Sequence, residues 1–467
     1  MLRADPVAPD SAPLRRWLSI VGIGEDGIDP LSPVARGLIG DAEIVFGGRR
    51  HLALAAPLIR GAARAWPSPF ERAADEVLAQ RGRQVCVLAS GDPFVYGVGA
   101  VLTRRIDSTE MVVLPAPSAF SLAAARLGWA LPETAQVSLH GRALDLIRPH
   151  LQPGMRVLAL TSGRDDPKEL ARLLNEAGFG ASCFTVLEAL GGVRERVRNT
   201  TAEKFDLRDI DALNVVALEV KAGPGARVIA RAAGLPDALF EHDGQITKRE
   251  IRAVTLSSLA PRRGELLWEI GAGSGSVAIE WMLADPSLRA IAIERRPDRA
   301  ARVRRNAAAF GVPGLEVIEA EAPALLGGLP EPDAIFIGGG AGHHRMLDAA
   351  ASMLRAGGRL VVNAVTLETE GLLLSRHASL GGELARIAIT RAAPIGRDIK
   401  RGTSADTGRP GCEEESGVGV GEKGEYRASR RAPQPSRLSW DGIEMARLEP
   451  IGWRPAMPVT QWTWIKP

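Results

Sequence analysis

Five residues, Gly271-Ala272-Gly273-Ser274-Gly275, stand between the apolar run LLWEI (266–270) and a segment with helical spacing. A strand-to-helix turn of this kind brings backbone N–H groups to a ligand, and the approach is close only where side chains are absent. The next apolar run, AIAIE (290–294), ends in Glu294, a place where an acid accepts hydrogen bonds from ribose hydroxyls in open α/β sheets. A nicotinamide fingerprint, G-x-G-x-x-G, needs glycine three positions after Gly273, and Ser276 stands there. The pattern present is acid-x-G-x-G-x-G, starting at Glu269. Near the other end of the chain Gly22, Gly24 and Gly27 satisfy G-x-G-x-x-G literally, but Pro30 and Pro33 follow where a dinucleotide-binding helix would have to run.

Other reactive side chains form no familiar constellation. His343 and His344 are adjacent, so on a helix they face different ways and cannot make an i, i+4 metal pair; His343 is kept as a candidate acid or base. Cys86, Cys183 and Cys412 lie far apart with no C-x-x-C pair, which fits a reducing cytoplasm and gives neither a disulfide framework nor a thiolate zinc site. No metal is expected.

The elements that must carry these residues read as two α/β series. From Trp17 to Val220 short apolar runs at 85–90, 112–116, 157–161 and 214–220 alternate with helical spacing, as in Ala119–Leu127 and Pro167–Ala177. The stretch 221–235, rich in Gly and Pro, reads as a linker. A second series then runs from a helix at Thr247–Leu259 through LLWEI, a helix from Gly275, AIAIE, a helix at 298–310, LEVIEA, AIFIGG, a helix at 344–355 and RLVVNAV. This alternation predicts a doubly wound, mostly parallel sheet over 236–467. Residues 1–16 read as a flexible tail without an apolar core, and 397–452 as a disordered insertion, polar and Gly-rich. IAITRAAPIG (387–396) and IEMARLEPIG (443–452) echo one another, so either copy could supply the strand before the C-terminal one.

With 467 residues the chain is long enough for two domains. Its net charge of +3, 45% apolar and 24% charged residues, and scattered arginines give no case for a nucleic-acid partner. No apolar run reaches the roughly 18 residues needed to cross a bilayer, so no membrane partner is expected.

The turn E-I-G-A-G-S-G resembles the S-adenosylmethionine (SAM) site of class I methyltransferases. Together with HDGQITKREIRAVTLSSL, EAEAPALL, IFIGGG and VVNAVTLET it resembles the CbiT-type corrin-biosynthesis methyltransferases over about 236–396. That resemblance implies SAM contacts at Thr247, Gly271, Ala272, Gly273, Ser274, Gly275, Glu294 and Ala322, with Glu321 beside the last. It also implies an acceptor loop at Gly338, Gly339 and Gly340, open to a flat macrocycle. In the first module VGIG, SGDPFVYGVG (90–99), PAPSAFSLAAARLG (115–128), LTSGRDDP and TVLEALGG resemble the tetrapyrrole methylases, and FGGRRHL (46–52) their CbiE-type branch. A two-subdomain fold with SAM in the cleft follows, with Glu25, Asp92, Val95, Ser118 and Ala119 as the positions that match the family's contacts. Tyr96 lies in the same loop, and packing is its expected role.

Joined in this order, the modules resemble the CobL-type family. The resemblance implies a decarboxylating bifunctional methyltransferase of cobalamin synthesis with two SAM sites, a tetrapyrrole substrate and a homo-oligomeric state. A class I methyltransferase acting on RNA or protein, and the cobalt-precorrin version of the same reaction, stay open as alternatives.

Overall fold

The computed structural model describes residues 16–68, 70–340, 342, 345–394 and 451–467. Residues 1–15 of the expected tail and 397–450 of the expected insertion lie outside the described residues, as do residues 395 and 396, Ala341, His343 and His344.

The first sheet is all parallel, in the order β3-β2-β4-β1-β5, from β1 (Leu18–Ile23), β2 (Ile44–Gly47), β3 (Ala62–Ala65), β4 (Val85–Ser90) and β5 (Met111–Leu114). Strand β1 is buried at all six positions. Its side chains alternate between two cores, Ile20 with Phe46 and Val87 on one face and Val21 with Val45 and Leu88 on the other, as a strand covered on both faces requires.

The second sheet, in the order β6-β7-β10-β8-β9, uses β6 (Thr134–Ser138), β7 (Arg156–Leu160), β8 (Cys183–Glu188), β9 (Arg196–Thr201) and β10 (Asn214–Glu219). Only β6 and β7 run parallel. The connection from Ala189 to Glu195 is too short for a crossover, so β9 must return antiparallel to β8. The helix Ala119–Leu127 forms as its spacing predicts: the Ser118 hydroxyl accepts from the Ser121 N–H at 3.0 Å, and Gly128 at φ 67° ends it.

The third sheet has seven strands in the order β13-β12-β11-β14-β15-β19-β16: β11 (Leu266–Ile270), β12 (Arg289–Glu294), β13 (Glu316–Glu319), β14 (Ala334–Ile337), β15 (Arg359–Ala364), β16 (Glu383–Ile387) and β19 (Val459–Ile465). The five strands β11 to β15 are parallel to one another. From β11 the chain winds outward through β12 and β13, then returns to β14 on the other side. The switch point therefore lies between β11 and β14, and ligands bind at such crevices beyond the carboxyl ends of the strands.

The stretch 221–235, expected as a linker, is packed rather than loose. Arg227 donates to the Leu239 carbonyl at 2.7 Å and stands 4.5 Å from the Phe310 ring centre, and Gln152 Nε2 donates to the Ile229 carbonyl at 2.8 Å. Ile229 and Leu235 are buried in the core that flanks the third sheet.

The chain divides into two compact units, Met1–Ala385 with Gln461–Pro467, and Arg386–Thr460. In the second, β17 (Thr390–Pro394) and β18 (Ile451–Pro455) pair antiparallel with Pro394 opposite Ile451. Ile451 and Gly452, read from the sequence as insertion, thus belong to a strand. In the third sheet β19 lies between β15 and β16, and β16 ends at Ile387, where the first copy of the echo begins.

Candidate functional site

At the switch point of the third sheet the turn after β11 and the loop after β14 meet. Gly271, Gly273 and Gly275 all take positive φ, at 72°, 59° and 72°. A Cβ on Gly271 would lie 2.7 Å from the Gly339 carbonyl oxygen, and one on Gly275 would lie 2.6 Å from Val303 Cγ1. Glycine is required at both for conformation and for space. The Gly271 and Ala272 N–H groups donate to the Ile293 carbonyl at 3.0 and 3.2 Å, and Gly338 N–H donates to the Ile270 carbonyl at 3.2 Å, which fixes both loops to the strand ends. Gly338, Gly339 and Gly340 are exposed, and His343 lies outside the described residues.

Glu294 ends β12 with 4% of its surface exposed. Its two oxygens accept from the Gly273 N–H at 2.8 Å and the Arg296 N–H at 3.0 Å. Each carboxylate oxygen has a second lone pair, so the acid can hold the turn and still accept from a diol. Ser274 is buried and its Oγ has no partner among the described residues. An orphaned buried hydroxyl beside a glycine cradle fits a site that receives a polar ligand. Ala322 is buried after β13 and Glu321 is exposed. Thr247 is half-buried just before the helix Arg249–Leu259, and its carbonyl accepts from Arg252.

Several residues that shape this site escaped sequence reasoning. Asn306, from the helix Pro297–Ala309, accepts from the Glu241 N–H at 2.8 Å and donates to the carbonyls of Glu241 and Ser274 at 3.0 and 2.9 Å. It pins the segment before β11 to the glycine turn. Asp243 in that segment pairs with Arg299 at 2.9 Å and Arg302 at 3.2 Å. Partial burial opposes its charge, but these guanidiniums and the Gln245 N–H hold its carboxyl below the usual range. No periodic pattern links residues so far apart in sequence.

Glu269, the acid that opens the turn motif, accepts from the Ala278 N–H at 2.9 Å and so caps the helix Ser276–Ala284. Burial pushes its carboxyl up from 4.5 to about 8, against the lowering effect of the backbone N–H groups of Ala278 and Val277. The folded protein therefore holds a proton there that the unfolded chain releases near 4.5. The resulting stabilisation is full below about 4.5 and is lost as the pH rises through about 8. Urea unfolding from pH 5 to 9 should show this decline, and Glu269→Gln should flatten it; an equal slope in the variant would place the titration elsewhere.

In the first module three strand-end loops converge. A Cβ on Gly22 would lie 2.1 Å from the Gly91 carbonyl oxygen and 2.5 Å from Ala116 N, and one on Gly91 would lie 2.6 Å from the Pro117 carbonyl oxygen. The ends of β1, β4 and β5 thus close on one another through glycine, with Asp92 held by its bond from the Phe94 N–H at 2.8 Å. Ser118 spends its hydroxyl on the helix cap, and Val95 and Ala119, half-buried, pack against the core around Phe120. Glu25 pairs with Arg50 and, at 3.5 Å, with Arg194 from the loop between β8 and β9. Beside Arg50, burial and then the guanidinium push the His51 imidazole down to about 4, so it stays neutral. Tyr96 packs its ring edge-on against Phe120, with ring centres 6.1 Å apart, while the residue as a whole stays 53% exposed.

Among the described residues no group of three or more His, Cys, Asp or Glu could hold a metal ion, and no helix is long and apolar enough to cross a membrane.

Residues 18–206 match the model of the tetrapyrrole (corrin/porphyrin) methylases, and residues 238–403 that of a precorrin methyltransferase domain. A Sinorhizobium protein described as precorrin-6Y C(5,15)-methyltransferase [decarboxylating] is 54% identical over 463 residues, covering 99% of this chain and 100% of its own. A Mycobacterium tuberculosis protein of the same description is 40% identical over 382 residues, covering 81% of this chain and 94% of its own. The crystal structure of the C-terminal domain of precorrin-6Y C5,15-methyltransferase from Rhodobacter capsulatus is 38% identical, covers 51% of this chain and 100% of that one, and has a TM-score of 0.38.

Proposed function

This chain belongs to the precorrin-6Y C5,15-methyltransferase (decarboxylating) family, SAM-dependent enzymes of corrin biosynthesis, and from that premise we propose that it carries two separate methylating sites on one polypeptide. Residues 236–467 methylate C15 of the metal-free tetrapyrrole precorrin-6B and release the C12 acetate carboxyl as carbon dioxide. Residues 17–220 methylate C5, and the product is precorrin-8X. Each site takes its own SAM, and the enzyme works in the cytoplasm as a homo-oligomer without a metal.

The observation that carries the C15 assignment is the meeting of the glycine turn, Glu294 and the exposed Gly338–Gly340 loop at the switch point. SAM supplies an electrophilic methyl group on a sulfonium. The chain's own part is alignment and exclusion of water, which suits attack by an electron-rich ring carbon and needs no side-chain nucleophile. Glu294 would accept the ribose hydroxyls while holding Gly273, and Ser274, Thr247 and Ala322 would bound the nucleoside. The open glycine loop leaves room for a macrocycle where a bulkier loop would block it. Electrons left by the departing carboxyl pass into the conjugated ring of the substrate. In the first module the loops carrying Glu25, Asp92, Val95, Ser118 and Ala119 would hold the second SAM.

Incubation with the precorrin and methyl-labelled SAM should incorporate two methyl groups per carbon dioxide released. Incorporation of one methyl, or of two without carbon dioxide, would overturn this reading.

A further inference from the structure

Two large aromatic residues are about half exposed on the loop after β4, although Tyr96 also touches Phe120 edge-on. Phe94 is 49% exposed and Tyr96 53% exposed, although they flank the packed Val95. Apolar rings are normally withdrawn from water, so two on one tight loop need a reason. The loop is built to present them: Gly97 and Gly99 fit closely over Pro93, where a Cβ on either would lie 2.5 or 2.8 Å from the Pro93 carbonyl oxygen. Tyr96 itself takes φ 53°, the left-handed region, which costs a non-glycine residue free energy and persists only where the surroundings impose it.

The Tyr96 hydroxyl donates to the Gln136 carbonyl at 3.2 Å, so the ring spans from a loop of the first sheet to β6 of the second. Arg142, exposed and without a carboxylate partner among the described residues, places its guanidinium 5.9 Å from the centre of the Tyr96 ring. Exposed aromatic residues, one with a guanidinium over its ring that no carboxylate holds, suit a flat conjugated molecule that carries carboxylates.

We propose that Phe94, Tyr96 and Arg142 form the docking platform for the tetrapyrrole in the C5-methylating site, the rings supporting the macrocycle and Arg142 pairing with a peripheral carboxylate. The inference rests on the reading of residues 17–220 as that site. SAM also offers a flat ring and a carboxylate, so SAM binding is measured beside KM to separate the two ligands.

The test uses the full-length enzyme with Phe94→Ala, Tyr96→Ala and Arg142→Ala. For each, KM for the precorrin in C5 methylation should rise roughly five- to tenfold, with equilibrium binding of SAM and C15 methylation unchanged. An unchanged KM in the variants would overturn the platform, and so would weaker SAM binding with KM unmoved, which would give the rings to the cofactor. If Tyr96→Ala fails to fold, the exposed Phe94 and Arg142 variants decide. Absence of C5 methylation in the unmodified enzyme would instead overturn the assignment of the module.

Discussion

Glu294→Ala should weaken SAM binding at the C-terminal site by about 100-fold and remove carbon dioxide release and C15 methylation together, while C5 methylation continues. The acid stands at the end of β12 with two backbone N–H groups on its oxygens, at 2.8 and 3.0 Å. Loss of the carboxylate leaves the Gly273 N–H without a partner in a buried place and removes the acceptor for the ribose. A hydrogen bond to a charged group is worth about 1.5–3 kcal/mol, so losing the diol contacts alone accounts for about two orders of magnitude. Glu294→Gln, which can still accept from Gly273, should lose less. A variant that binds SAM normally yet fails in turnover would assign Glu294 to chemistry rather than to the cofactor.

The largest loss of stability is expected at a place the sequence does not advertise. Arg252 is fully buried, donates to Glu280 at 2.6 Å and to Asp237 at 3.1 Å, bonds the carbonyls of Leu235 and Thr247, and lies 4.8 Å from the centre of the Phe240 ring. Glu280 in turn accepts from the Gly234 and Leu235 N–H groups at 2.7 and 2.9 Å. Together they fasten the strap at 234–247 to the helices beneath the glycine turn. Arg252→Met strands the Glu280 charge in the core, and breaking one side of such a buried pair costs about 3–5 kcal/mol. Arg252→Met with Glu280→Gln should cost less than Arg252→Met alone, because glutamine leaves no buried charge and its one carbonyl oxygen can still accept one of the two N–H bonds. Urea denaturation of the two variants measures this; a cost under about 1 kcal/mol for Arg252→Met would mean the pair is dispensable.

The parts of the fold legible in the sequence are those that local rules determine. Strands β4 and β11 and the helix Ala119–Leu127 fall at the expected residues, because unbroken apolar runs and a Ser cap with a closing glycine leave little choice. Strands β3 and β9 are mostly exposed and carry alanine, arginine and threonine, so no apolar pattern marks them. Their place is set by neighbouring strands. The same holds for the site: Gly271–Gly275 and Glu294 lie on one turn and one strand end and can be read in order. Asn306, Arg252 and Glu280 act through contacts between helices, and Tyr96 shows its meaning only through its backbone angle and exposure.

Two cofactor sites that work independently on one chain should each bind their own SAM. Calorimetric titration of the full-length protein with SAM tests this directly. Two molecules should bind per chain, falling to one in Glu294→Ala at concentrations that saturate the other site. One molecule per chain in the unmodified protein, or two with undiminished affinity in the variant, would contradict it.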